Sequence, residues 1–213
     1  MMLEQWTEHI KIVTGLVAIV NPIGAVPLFV TLSQQMSVSD RKKTVKIASL
    51  TVCCTLLLVM FCGQAFLNYF GISVASFKVG GGILLLLMAI SMLHGNQLLP
   101  KHTEEEAQEA VTKESIAVVP LAIPMLAGPG AISSVILYSN QSNAFHDELT
   151  LVGAILIVSL LTLIILNMGH KIAKALRKTG VNIVSRVMGL IIAAIGVEFI
   201  CDGLVVLIPG LAR

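Results

Sequence analysis

Long runs of apolar residues alternate with short polar connections along the chain. Six of these runs approach or exceed the roughly 20 residues that an α-helix needs to cross a bilayer. They cover residues 10–32, 47–70, 77–94, 116–138, 149–169 and 186–208. Within lipid, backbone amides and carbonyls must be paired inside the segment, so the runs predict helices. The pattern therefore predicts an all-α membrane protein with six transmembrane helices.

Two of the six runs contain residues that interrupt helices. The first run holds Asn21-Pro22-Ile23-Gly24, and the fourth holds Gly128-Pro129-Gly130. Proline lacks the amide hydrogen and clashes with the preceding turn, while glycine lets the backbone unwind. Helices 1 and 4 are therefore predicted to be broken, each into two half-helices that meet near the midplane of the membrane.

Composition and charge agree with this class of protein. The chain of 213 residues is 56% hydrophobic and 12% charged, whereas soluble domains carry about 25% charged residues. The connections after the first, third and fifth runs, with Arg186 at the start of the sixth, hold eleven of the 14 Lys and Arg residues. The positive-inside rule places these connections in the cytoplasm and both termini on the opposite side. Because topology explains the basic connections, they do not indicate binding of nucleic acid.

The two halves of the chain resemble each other. Asn21-Pro22 and Gly128-Pro129 lie 107 positions apart, about half the length of the chain. The same offset superimposes the third run on the sixth, with Gly82 opposite Gly189. Each half has three runs, and an odd number requires the halves to insert with opposite orientations. The sequence thus predicts one membrane domain with a first repeat, a cytoplasmic linker and an inverted second repeat at about 10–94, 95–115 and 116–208.

The two interruptions together predict a substrate-binding site. At each one the second half-helix offers unpaired amide hydrogens, and the first half-helix offers unpaired carbonyls. Such a site can hold an anionic and a cationic group at once, which suits a small zwitterion. Helix packing is the structural alternative, since small residues let membrane helices approach closely. The candidate substrate-binding residues are Asn21, Pro22, Gly24, Gly128, Pro129, Gly130, Ser133 and Ser134.

One carboxylate lies deep within the sixth run. Glu198 is about 18 Å from the cytoplasmic end of that run at 1.5 Å per residue, and Asp202 follows one helical turn later. A carboxylate inside a membrane is a candidate for ion coupling, here of protons or sodium. The alternatives are a carboxylate that faces an outer vestibule and one that pairs with a structural partner.

No cofactor or metal site is predicted. The four cysteines form no C-x-x-C motif, and no histidine lies at metal-ligand spacing from them. Unpaired cysteines in apolar runs behave as small apolar residues. These cysteines are Cys53, Cys54, Cys62 and Cys201.

Two segments resemble the MarC family of bacterial inner-membrane proteins. They are N-P-I-G-A-V-P-L-F, from Asn21 to Phe29, and P-L-A-I-P-M-L-A-G-P-G-A-I-S-S, from Pro120 to Ser134. The resemblance implies a six-helix inverted-repeat fold in the inner membrane, so the predicted outer side is the periplasm. Some relatives are described as transporters of small neutral amino acids such as glycine and alanine, with the substrate at the broken helices. Carried onto this chain, that site implies Asn21, Pro22, Gly24, Gly128, Pro129 and Gly130.

The residues and the resemblance together favour a transporter that moves a small neutral solute by alternating access. Its expected partners are the lipid bilayer and the solute, and the sequence does not predict an oligomeric state. A scaffold or regulator that transports nothing is one alternative. A channel, or an exporter of another metabolite or of a drug, is a second. A membrane enzyme is disfavoured because the chain has no H-E-x-x-H, C-x-x-C or G-x-S-x-G motif.

Overall fold

The computed structural model describes residues 2–94, 117–141, 145–208 and 210. Every regular element within these ranges is a helix. In chain order the elements are α1 (Met2–Val20), α2 (Val26–Leu32), α3 (Val38–Tyr69), α4 (Val74–Leu93), a π-helix (Ala117–Leu126), α5 (Pro129–Gln141), α6 (Phe145–Asn167) and α7 (Gly169–Leu207). The predicted linker, residues 95–115, lies outside the described residues.

Four helices are long and apolar enough to cross a membrane. They contain the segments Val38–Tyr69, Val74–Leu93, Asp147–Asn167 and Thr179–Leu207. These segments correspond to the second, third, fifth and sixth apolar runs, so the prediction of helices there is confirmed. The protein is therefore a multi-pass helical membrane protein.

The first and fourth apolar runs are interrupted at the predicted motifs. Helix α1 ends at Val20 and α2 begins at Val26, so the segment Asn21–Ala25 is not helical. In the fourth run, the π-helix ends at Leu126 and α5 begins at Pro129. Each of these runs therefore consists of two shorter pieces of helix.

The first piece of the fourth run differs from the expected α-helix. Ala117–Leu126 is a π-helix, and the amide of Ala127 that follows it donates to the carbonyl of Ala122 at 2.8 Å. Pro120 and Pro124 supply no amide hydrogens, so regular α-helical bonding cannot run through this segment. The wider π turn is rare and occurs frequently at functional sites.

Helix α7 begins earlier than the sequence predicts. The basic segment before residue 186 is expected to be a connection, but only Met168 separates α6 from α7. The lysine, arginine, alanine and leucine residues of this segment are good helix formers, which explains the extension. A bend interrupts the helix at Arg177, whose φ of 53° and ψ of −178° lie outside the helical region.

The end of α3 and the start of α4 follow from local sequence signals. Gly71 has a positive φ of 66°, which glycine adopts at little cost. The amides of Gly71 and Ile72 donate to the carbonyls of Asn68 and Leu67 at 3.1 and 2.9 Å, which closes α3 with a Schellman motif. The Ser73 hydroxyl then accepts a hydrogen bond from the amide of Ser76 at 3.1 Å and caps the start of α4.

The most extensive packing in the fold is between α4 and α7. A Cβ atom added to Gly82 would lie 2.6 Å from the carbonyl oxygen of Gly196, and one added to Gly196 would lie 2.9 Å from that of Gly82. A Cβ added to Gly189 would lie 3.2 Å from the carbonyl oxygen of Ala89. The backbones of the two helices are therefore in direct contact, as small residues permit in membrane helix pairs.

Candidate functional site

The Asn-Pro-Ile-Gly motif builds the first interruption. Asn21 has a φ of 47°, a left-handed conformation that asparagine tolerates better than most residues. Its amide donates to the carbonyl of Val17 at 2.9 Å, and its Oδ1 accepts a hydrogen bond from the amide of Gly24 at 3.1 Å. A Cβ atom on Gly24 would overlap the side-chain amide of Asn21. Asn21 therefore ends α1 and organises the turn, and Gly24 leaves room for its side chain.

This turn leaves fewer groups available than the sequence predicts. The amide of Gly24 is bonded to Asn21, and the amide of Val26 donates to the carbonyl of Ile23 at 3.1 Å. The expectation that the amino end of α2 supplies free amides was therefore wrong for Gly24 and Val26. Helix α2 itself has only seven residues. The side-chain nitrogen of Asn21 has no hydrogen-bond partner among the described residues. It is the donor that this turn leaves for a ligand.

The second interruption brings the first turn of α5 against the end of α1. A Cβ atom on Gly130 would lie 2.7 Å from Leu85 Cδ2 and 3.5 Å from Ile19 Cγ2. Ile19 precedes Asn21 by two residues, so the two interruptions are close neighbours in the fold. Gly128 and Gly130 are buried and Pro129 is exposed. In this first turn, the amides of Gly130 and Ala131 have no intrahelical acceptor.

The two predicted serines of α5 have different surroundings. The Ser134 hydroxyl is fully buried and donates to the carbonyl of Gly130 at 2.8 Å, so its own helix satisfies it. Ser133 is 3% exposed and lies against α4, where a Cβ atom on Gly81 would be 2.9 Å from Ser133 Cβ. Its hydroxyl makes no hydrogen bond within the described part of the chain. The Ser133 hydroxyl is therefore available to a ligand, whereas the Ser134 hydroxyl is already bonded within α5.

The two carboxylates of α7 also differ. Asp202 Oδ2 accepts a hydrogen bond from Lys78 Nζ of α4 at 2.8 Å, which makes it a structural partner of the α4–α7 pair. Glu198 is exposed, and no ion pair forms between it and any other residue of the described ranges. The next residue, Phe199, packs its ring against that of Tyr138 of α5, with ring centres 6.1 Å apart. Glu198 thus lies next to the residue through which α7 contacts the later part of α5.

Two further polar groups were not singled out by the sequence. The hydroxyls of Ser49 in α3 and Ser159 in α6 are buried and have no hydrogen-bond partner among the residues that the structure describes. Each side chain is less than 10% exposed, with values of 5% and 7%. In the sequence each is a serine within an apolar run. Such serines also occur where membrane helices pack closely, so they do not by themselves indicate a binding site. Unpaired buried hydroxyls are costly, so each one is a place where a polar ligand or water would be stabilised.

Comparison of the sequence with known proteins shows the family of this chain. The sequence model of the protein family described as MarC family integral membrane protein matches residues 6–208 of this chain. The chain belongs to the MarC family. It is similar to the UPF0056 membrane protein YhcE of Escherichia coli (strain K12), with 38% identity over 95% of this chain and 94% of that protein. It is also similar to the UPF0056 membrane protein PH0760 of Pyrococcus horikoshii, with 37% identity over 95% of this chain and 97% of that protein.

Membership of the MarC family confirms the resemblance that the two motifs indicated. The names of both relatives describe membrane proteins and specify no activity. No solved structure matches the chain at a significant level. Among the described His, Cys, Asp and Glu residues, no group of three or more could hold a metal ion. The function of this MarC family protein must therefore be argued from its own geometry.

Proposed function

We propose that this protein is an inner-membrane secondary transporter that moves a small neutral solute by alternating access. The observation that carries the proposal is the contact between its two interrupted runs, through Gly130 and Ile19. Beside this contact lie hydrogen-bond donors without partners among the described residues, namely the Asn21 side-chain nitrogen, the Ser133 hydroxyl and the amides at the start of α5. Donors of this kind suit a carboxylate, and free carbonyls at the end of a helix suit an ammonium group. A small amino acid such as glycine or alanine combines both groups.

The packing of α4 on α7 supports two inverted repeats. Under the offset of 107 residues, Gly82 corresponds to Gly189, and Ala89 corresponds to Gly196. The contact of Gly82 with Gly196 is therefore repeated, with the halves exchanged, as the contact of Gly189 with Ala89. Transporters with inverted repeats hold their substrate between broken helices and move one part of the molecule against the other. The charge distribution favours an orientation with both termini in the periplasm.

The neighbouring serines of α5 provide a matched test of the binding site. Replacing Ser133 with alanine removes a hydroxyl that has no partner in the described part of the chain, and uptake of labelled glycine or alanine into proteoliposomes should fall about tenfold. Replacing Ser134 with alanine removes a hydroxyl bonded within its own helix, and uptake should change less than twofold, a roughly estimated limit. Equal effects of the two substitutions, or no saturable uptake by the folded wild-type protein, would contradict the proposed site. Absence of uptake would favour a scaffold instead.

Glu198 is the proposed coupling residue of this transporter. It has no ion-pair partner in the described ranges, and an unpaired carboxylate in a membrane helix is stabilised by binding a proton or a sodium ion. Replacing Glu198 with glutamine should preserve exchange of labelled for unlabelled solute. The same variant should lose accumulation driven by an imposed proton or sodium gradient. Gradient-driven accumulation at the wild-type level in Glu198→Gln would exclude this role.

A further inference from the structure

Helix α2 is a short element that depends on its surroundings for its position. It has seven residues, and isolated helices of this length are not stable in water. At its amino end, the non-helical turn Asn21–Ala25 separates it from α1. A rigid piece of helix attached to such a turn can move as a unit, and hinges of mobile elements are built in this way. Contacts at the carboxyl end of α2 therefore determine whether it stays in place.

A single arginine clamps the carboxyl end of α2. Arg41 Nε donates to the carbonyl of Ser33 at 3.0 Å, and its Nη2 donates to the carbonyl of Gln34 at 3.2 Å. Ser33 caps the end of α2 and Gln34 follows it, and carbonyls at this end of a helix carry partial negative charge. The guanidinium group satisfies two acceptors there with charge-assisted hydrogen bonds, which are stronger than neutral ones. Because Arg41 belongs to the first turns of α3, this clamp ties α2 to α3.

The opposite side of α2 rests in the corner between α6 and α7. A Cβ atom on Gly169 would lie 3.1 Å from Phe29 Cδ1, so the missing side chain makes room for the phenyl ring. The ring of Phe29 meets His170 edge to face, with ring centres 6.0 Å apart. Burial and the nearby Arg41 guanidinium lower the pKa of His170. The imidazole is therefore neutral at neutral pH and packs as an uncharged aromatic ring.

We propose that α2 is a gate between the binding site and the membrane face where α3 begins, and that Arg41 is the latch that holds this gate closed. The inference rests on the proposed transport function. The turn Asn21–Ala25 serves as the hinge, and the apolar contact of Phe29 with the α6–α7 corner is the seat of the closed gate. Opening exchanges the two Arg41 hydrogen bonds for hydrogen bonds with water. The charge distribution assigns this gate to the cytoplasmic face.

Thiol labelling of Ser133→Cys tests the latch without requiring transport. The reporter is placed in a background in which the four native cysteines are alanine, and a charged, membrane-impermeant maleimide is applied separately to each face of membrane vesicles. Replacing Arg41 with alanine should increase the labelling rate about tenfold from one face only. Arg41→Lys, which keeps the charge but loses the two-pronged geometry, should give an intermediate rate. Lys42→Ala removes a charge from the neighbouring exposed position and should leave the rate unchanged.

The outcomes separate the latch from the transport proposal. An unchanged rate in Arg41→Ala would overturn the latch, and so would an equal increase from both faces, which indicates general loosening of the fold. If Arg41→Ala increases labelling from one face but the wild-type protein transports no glycine or alanine, the result supports the gate and contradicts the proposed solute. If the wild-type protein transports the solute but the labelling rate does not depend on Arg41, the result supports the transport proposal and contradicts the latch. If Arg41→Ala does not fold, Arg41→Lys supplies the same comparison.

Discussion

Replacing Gly82 with leucine is expected to force α4 and α7 apart and to destabilise the protein by about 3 kcal/mol or more. Even the first added carbon would lie 2.6 Å from the carbonyl oxygen of Gly196 and 2.7 Å from Ile200 Cγ1. The first of these neighbours is backbone, so it cannot move aside without shifting the whole helix. Thermal unfolding in detergent should therefore occur at a markedly lower temperature than in the wild-type protein.

Gly80 provides the matched control for this substitution. It lies two residues earlier in the same helix, and apart from that helix's own backbone no atom of the described residues lies within 4 Å of the position that its Cβ would occupy. Leucine at residue 80 should therefore leave the unfolding temperature unchanged or raise it, because glycine is a poor residue for a helix interior. Equal destabilisation by the two substitutions would show that the α4–α7 contact does not hold the fold together as described.

Replacing Asn21 with alanine is expected to abolish most transport. Alanine at a φ of 47° costs roughly 1–2 kcal/mol, and the amide of Gly24 loses the acceptor that now lies 3.1 Å away. Uptake of labelled glycine or alanine should fall by about a factor of ten or more. Asn140→Ala is the control, because the Asn140 amide group donates to the carbonyl of Ile136 within its own helix at 2.8 Å.

Asn21→Asp distinguishes a binding role of this residue from a purely structural one. Aspartate keeps the oxygen that accepts from Gly24 and tolerates the left-handed conformation, but it has no side-chain nitrogen to donate. If the Asn21 nitrogen binds the carboxylate of the solute, the aspartate variant should unfold near the wild-type temperature and fail to transport. Normal uptake by this variant would mean that Asn21 only shapes the turn.

The sequence predicted the long helices well because apolar runs in lipid have few alternatives. The positions of both interruptions also followed from local chemistry, since asparagine and proline at residues 21 and 22 cannot continue a helix in the ordinary way. The π-helix at Ala117–Leu126 could not be predicted. Proline removes amide donors wherever it lies, but neighbouring helices determine which acceptors the remaining amides find. The early start of α7 at Gly169 could not be predicted either. Basic residues are common both in helices and in the loops between membrane helices.

The interruptions were predictable in their location, but the hydrogen bonds of the groups beside them were not. Spacing placed Ser133 and Ser134 together, and only the structure separates the hydroxyl that is bonded to Gly130 from the one that is not. The ion pair of Lys78 with Asp202 joins residues 124 positions apart, which no local pattern reveals. Arg41 contributed only to the charge count, although a basic residue shortly after the end of a helix can cap its carbonyls.

The interrupted runs also have a consequence for how the protein is made. Helix α2 has seven residues, which span about 10 Å of a hydrocarbon core that is about 30 Å thick. The four long helices can enter the bilayer individually, whereas the backbone groups that the turn Asn21–Ala25 and the first turn of α5 leave unpaired need neighbouring helices as partners. Assembly of the site should therefore be among the last steps of biogenesis. A chain that is inserted but unassembled presents to lipid the polar backbone that lies beside the proposed binding site in the folded protein, and this makes it a recognisable target for membrane proteases.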